Sequence, residues 1–110
     1  MTDHARATPS IEDNAEGQRY EACLGDDLAG FLDYRRHPGR ITLVHTEVDP
    51  AFEGRGIGAA LAIHALEAAR GAGEAVIPSC PFVRSYIRRH PEWLGVVAPG
   101  ARRLVDEPAG

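Results

Sequence analysis

Several residues in this chain have types and spacings suited to chemistry. His45 and Glu47 stand two apart in a β-branched, apolar run, Ile41 to Val48. On a strand they share a face, roughly 6.5–7 Å apart. Two titratable groups so placed can take a proton from an amine, directly or through water. The same pair could instead be hydrogen-bonded residues that fix sheet geometry. Gly54-Arg55-Gly56-Ile57-Gly58 leads into an Ala- and Leu-rich segment. A glycine-rich turn opening a helix presents unpaired backbone N–H groups and the positive end of the helix dipole, which suits a phosphate. Glycine lets phosphate oxygens approach the backbone, and Arg55 adds a cation. The bland alternative is a helix start that merely turns tightly.

Cys80 precedes Pro81. Proline suits the first helical position, so Cys80 falls at the N-cap, where the helix dipole favours a thiolate. Arg84, one turn on, would reinforce it. A thiolate there could accept an acyl group in a ping-pong route; a small buried hydrophobe is the competing reading. Cys23, alone on an early strand, reads as structural.

The elements that must position these groups follow from the pattern. Tyr20, Ala22 and Leu24 alternate with Arg19, Glu21 and Cys23, which predicts a strand with one buried face. After the turn Gly25-Asp26-Asp27, Leu28, Gly30, Leu32 and Tyr34 are expected inward. After His37-Pro38-Gly39, Ile41 to Val48 makes a third strand, and three strands with short turns form an antiparallel meander. Ala59 to Arg70 reads as a helix stopped by Gly71 and Gly73, with Ile57, Leu61, Ala65 and Ala68 along one face. Ala75 to Ile77 is a short strand, and Pro81 to His90 a second helix ended by Pro91. Trp93 is expected to cap the core. The order is β-β-β-α-β-α. Residues 1–16 read as a disordered leader, 17–98 as the domain and 99–110 as a flexible tail.

At 110 residues and a net charge of −4, the chain fits one domain with a real core. No global basic field suggests nucleic acid. All twelve basic residues are arginine, which excludes a lysine Schiff base and a P-loop lysine. Two cysteines make no disulfide scaffold. No signal peptide and no membrane-length apolar run is evident, so a cytoplasmic location with free thiols is expected. No metal site is expected. The glycines also fit a dinucleotide fingerprint, Gly54, Gly56 and Ala59 with Glu74 downstream. Against it, Asp49 to Glu53 separate them from the strand, the preceding strands form a meander, and no second half follows.

The loop Glu53-Gly54-Arg55-Gly56-Ile57-Gly58 resembles the coenzyme loop of the GNAT superfamily, the acetyl-coenzyme A-dependent N-acetyltransferases, with Glu53 where the family usually has Gln or Arg. The likeness is closer to a branch of short stand-alone GNAT-like proteins. It is carried by His45-Thr46-Glu47-Val48, Pro78-Ser79-Cys80-Pro81-Phe82, Tyr86 and Arg89-His90-Pro91, over about residues 18 to 94. The resemblance implies an α/β domain whose mixed sheet splays between the strand ending at Val48 and the one ending near Ser79. The pantetheine arm of acetyl-coenzyme A would lie in that splay, bonded to backbone near Val48, with the pyrophosphate on the amides of Gly54 to Ala59. Arg84 or Arg88 would reach the 3′-phosphate. His45, Glu47 and Cys80 would serve the transfer, and Tyr86 would protonate the departing thiolate. The resemblance implies an N-acetyltransferase whose acceptor amine sits on an open surface, suited to a peptide or protein, in a monomer or weak dimer. A coenzyme A-binding module without turnover and a thiol-exchange protein built on Cys80 stay as alternatives.

Overall fold

A computed structural model describes residues 8–106. The first part of the expected leader, 1–7, and the end of the expected tail, 107–110, lie outside the described residues. The elements run β1 (Ser10–Asn14), β2 (Arg19–Leu24), β3 (Asp27–His37), β4 (Arg40–Val48), α1 (Ile57–Ala72), β5 (Ala75–Pro78), α2 (Pro81–Arg89) and α3 (Arg102–Asp106), with short 3-10 turns at Pro50–Phe52, Pro91–Val96 and Pro99–Ala101. One mixed sheet has the order β1-β2-β3-β4-β5. The first four strands are antiparallel, and β5 lies parallel to β4. The expected α/β architecture is the one observed.

β2 alternates as predicted: Tyr20, Ala22 and Leu24 are buried. β3 does so only in part. Its register with β2 jumps from Ala22↔Gly30 to Cys23↔Leu28, so Ala29 is an extra residue, a bulge. A bulge flips the side-chain phase beyond it. Ala29 is therefore buried, and Leu28, expected inside, is 42% exposed. A second bulge at Val44 falls between Asp33↔His45 and Tyr34↔Leu43. Ile41 and Leu43 are buried before it, while Val44 and His45 are both exposed after it.

Residues 10–14 correct the expected leader, because Ser10–Asn14 pairs along its whole length with β2. Its sequence, Ser-Ile-Glu-Asp-Asn, is poor in strand formers; pairing and side-chain bonds override that preference. Tyr34 Oη donates to Asp13 Oδ1 at 2.5 Å, and Asn14 Nδ2 donates to Glu21 Oε2 at 3.1 Å. The start of the expected tail is also structured: α3 buries Val105, and Arg88 Nε donates to the Val105 carbonyl at 2.8 Å.

Helix α1 buries Ile57, Gly58, Leu61, Ala62, Ala65, Leu66 and Ala69. The stripe thus runs through Ala69, and Ala68 at its edge is half-buried. Gly73, with φ 70°, caps its C-terminus by donating to the Ala69 and Arg70 carbonyls. Trp93 is buried, with the Arg70 guanidinium 4.6 Å from its ring centre. A single apolar core joins the inner residues of the sheet to α1 and α2.

Candidate active site

The site is built at the C-terminal end of β4. Parallel pairing with β5 runs from Arg40↔Ala75 to Leu43↔Pro78 and ends there. β4 continues to Val48, bonded to β3 alone among the described strands. The bulge at Val44 coincides with this parting. One further bond, Cys80 N–H to the Leu43 carbonyl at 2.8 Å, holds the start of α2 at the fork.

Beyond Val48 the chain turns at Asp49, whose Oδ1 accepts from Ala51 N–H at 2.9 Å. The glycine loop follows. Gly54 and Gly56 have φ of 82° and 74°, and a Cβ at either would meet nothing within 4 Å. These are left-handed positions that L side chains adopt only with strain, and the space beside them is open. Gly56 is the N-cap of α1, with no side-chain capping bond and no acidic residue in the first turn. The first intrahelical bond is Ala60 N–H to the Gly56 carbonyl. The N–H groups of Ile57, Gly58 and Ala59 therefore have no intrahelical acceptor. Val48, Glu53, Gly54, Gly56, Ile57, Gly58 and Ala59, all expected here, line a cleft of about 310 Å³. Arg55 does not line it; its guanidinium lies 5.6 Å from the Phe52 ring centre.

Phe52 and Phe82 complete this cleft, and the sequence reading assigned neither a role. Phe82 is 38% exposed. A Cβ on Gly58 would sit 2.7 Å from the Phe82 ring, so glycine there lets the α2 N-terminus close on that of α1. Proximity of Phe82 to the Cys80-Pro81 helix start was the available signal.

Cys80 is the N-cap of α2, with Pro81 in its first turn. Its thiol is buried, and Sγ lies 3.2 Å from Thr46 Oγ1. Thr46 lies between His45 and Glu47, so strand alternation puts it on the opposite face of β4. The expected catalytic residues are therefore split: Cys80, beside Thr46, is on the inner side, and His45 and Glu47 are on the outer. Thr46 was legible in principle from that same alternation.

On the outer side His45 Nε2 is 3.4 Å from Glu47 Oε1, and their side chains are 54% and 63% exposed. The expected pair exists, and it is a solvated one. Glu47 and Val48 line a second cleft of about 460 Å³ with Leu28 to Phe31, Asp49 and Pro50. Val48 thus belongs to both clefts. His45 instead meets the Phe31 ring edge-on, 6.2 Å between centres.

The remaining candidates stand apart. Tyr86 lies in the buried face of α2 with Val83 and Ile87, its ring stacked on His90 at 4.3 Å. It lines neither cleft. Arg84 also lines neither; its Nε is shielded from solvent and has no hydrogen-bond partner among the described residues. Arg88, expected toward a phosphate, has its Nε committed to the Val105 carbonyl. Cys23 is a free thiol pushed up by partial burial, then by Glu12 and Glu21. Among the described residues, no group of three or more His, Cys, Asp and Glu is placed to hold a metal ion. No helix there is long and apolar enough to cross a membrane.

The result is an α/β scaffold with a forked mixed sheet and, beside the fork, a glycine-led helix start whose backbone donors open on a cleft. Residues 19–96 match the family model of the GCN5-related N-acetyl-transferases. That match covers more than half of the chain, which belongs to this family. Among curated proteins, none matches it.

Proposed function

We propose that this protein binds acetyl-coenzyme A in the fork of β4 and β5 and transfers the acetyl group to an amine. The observation that carries this reading is the meeting of two clefts at Val48, on either side of the strand end. The inner cleft fits a coenzyme. Its open left-handed glycines admit phosphate oxygens, and the free N–H groups of Ile57, Gly58 and Ala59 can bond them. Arg84, with its unmet donor, stands near the start of α2 as the candidate for a further phosphate. Val48, unpaired on its β5 side, offers backbone groups to the pantetheine arm. The bound coenzyme supplies a thioester.

The chain's own residues do the rest. An amine reaches the acyl carbon as a free base, so an ammonium must first lose a proton. Glu47 takes it, directly or through water, with His45 beside it as relay. The new C–N bond forms as the C–S bond breaks; the acylated nitrogen releases its second proton to water, and the departing thiolate gains one from solvent. A second reading routes the acetyl group over Cys80, favoured by the Thr46 hydroxyl at 3.2 Å. Burial of Cys80 disfavours the thiol-exchange alternative, since exchange needs an accessible thiolate.

Titration of acetyl-coenzyme A followed by amide NMR tests the proposal. Shifts at Val48, Gly54 to Ala59 and Cys80, with release of free coenzyme A on adding an amine, are expected. No shift at millimolar ligand would overturn it. Binding without release for every amine would leave a coenzyme-binding module. Turnover unchanged in Cys80→Ala would remove the covalent route.

A further inference from the structure

We infer that the outer cleft selects a primary ammonium carried on a compact apolar arm, and that this is the acceptor class; the inference rests on the transfer reading above. The cleft has a mixed lining. Leu28, Phe31, Val48 and Pro50 give it apolar walls, and Glu47 and Asp49 are its charged residues. Among the described residues no basic side chain lines it, and a cation beside its walls, the Arg19 guanidinium, lies over the Phe31 ring. Its volume of about 460 Å³ suits a small ligand or one end of a larger one.

The apolar part is a product of the fold. The bulge at Ala29 turns Leu28 outward, where it is 42% exposed, onto the side that also carries Phe31 and Glu47. Bulges beside binding sites re-aim side chains in this manner. Gly30 lies against the Glu47 carbonyl, since a Cβ there would come within 2.7 Å of that oxygen. This close approach keeps Glu47 beside the apolar walls.

The carboxylates face different tasks. Asp49 has Oδ1 engaged by Ala51 N–H. Glu47 is solvated, with His45 Nε2 at 3.4 Å from its Oε1. One ammonium is thus matched by Glu47, while the arm packs on Leu28 and Phe31. A second ammonium at the Leu28 and Phe31 end would replace an apolar contact and face the Arg19 guanidinium, 4.5 Å from the Phe31 ring centre, which disfavours diamines. A carboxylate next to the amine would meet Glu47 and Asp49, which disfavours free amino acids. The same chemistry could come from a free arylalkylamine or from a polypeptide whose N-terminal residue is aromatic.

The experiment titrates the intact protein, without coenzyme, with phenethylamine, butane-1,4-diamine, phenylalanine and the peptide Phe-Gly-Gly, following amide shifts. Phenethylamine is expected to move Leu28, Phe31 and Val48, and to bind roughly tenfold tighter than the diamine or phenylalanine. Leu28→Asp should remove that preference, Leu28→Met should keep it, and acetyl-coenzyme A should still shift Gly54 to Ala59 in both. If the peptide moves the same residues as phenethylamine, the source is a chain terminus; if only the amine does, it is a small molecule. Diamine binding as tight as phenethylamine, or no shift at Leu28 and Phe31, would overturn the inference while leaving coenzyme binding intact. Conversely, amine shifts without any coenzyme shift would support the cleft's selectivity and sink the transferase reading.

Discussion

The two ends of the β3–β4 pair are built on opposite principles. At the hairpin end, polar side chains tie neighbouring elements together. Arg36 Nε donates to Glu74 Oε2 at 2.8 Å, joining β3 to the residue before β5, and Tyr34 donates to Asp13 of β1. The Tyr20 and Tyr34 rings pack 5.0 Å apart beneath them. At the other end, Gly30 and Val48 have no such ties. The strand fork, the uncapped start of α1 and the exposed Leu28 leave donors and apolar surface unsatisfied. A fold can hold such a region only if other parts secure the chain. Side-chain ties are concentrated at the hairpin end, and open donors and apolar surface at the other.

The largest effect should come from forcing the open end apart. Gly30→Ala puts a Cβ 2.7 Å from the Glu47 carbonyl oxygen and 3.0 Å from Ile57 Cγ2. Backbone rather than a flexible side chain must move, so a loss of about 3 kcal/mol is expected in urea denaturation. Glu47→Gln should instead leave stability within about 0.5 kcal/mol, its side chain being solvated, and lower kcat/KM roughly a hundredfold. Equal loss of stability in both variants would erase the contrast.

A pH experiment probes the secured end. Burial, and then the bond to Asp13, push the Tyr34 phenol up to about 12. The fold therefore favours the neutral phenol over the unfolded chain, where it titrates near 10. Stability from this group is complete below pH 10 and is lost as pH rises toward 12, by roughly 2 kcal/mol. Tyr34→Phe should flatten that limb of the urea-midpoint profile. The smallest effect is expected for Gly56→Ala, which strains a left-handed position by about 1 kcal/mol and should weaken coenzyme A about tenfold in calorimetry. An unchanged affinity would mean the loop does not hold the ligand.

Much of the fold was legible because its signals are local. Alternation in β2, the turn residues and the Ala- and Leu-rich run before Gly73 each identify an element without reference to the rest. The short edge strand at 10–14 was not, because Glu12, Asp13 and Asn14 carry no strand preference; their order comes from partners in β2 and β3. Nor was the outward turn of Leu28, since a bulge is decided by the register of two strands.

The same division holds for the candidate site. The glycine loop could be read directly, because a left-handed backbone and an unblocked helix start require glycine whatever surrounds them. Cys80 at the head of α2 followed from Pro81 for a similar reason. Which residues meet was settled by tertiary structure. Strand geometry and the bulge at Val44 send Thr46 to Cys80 and Glu47 to the opposite side. Helix packing keeps Tyr86 among Val83, Ile87 and His90. Local sequence is enough to specify the left-handed, unblocked backbone of the glycine loop and the titratable pair on β4. Only the folded chain decided that they lie on two sides of one strand end, because side-chain direction depends on register and packing between segments far apart in sequence.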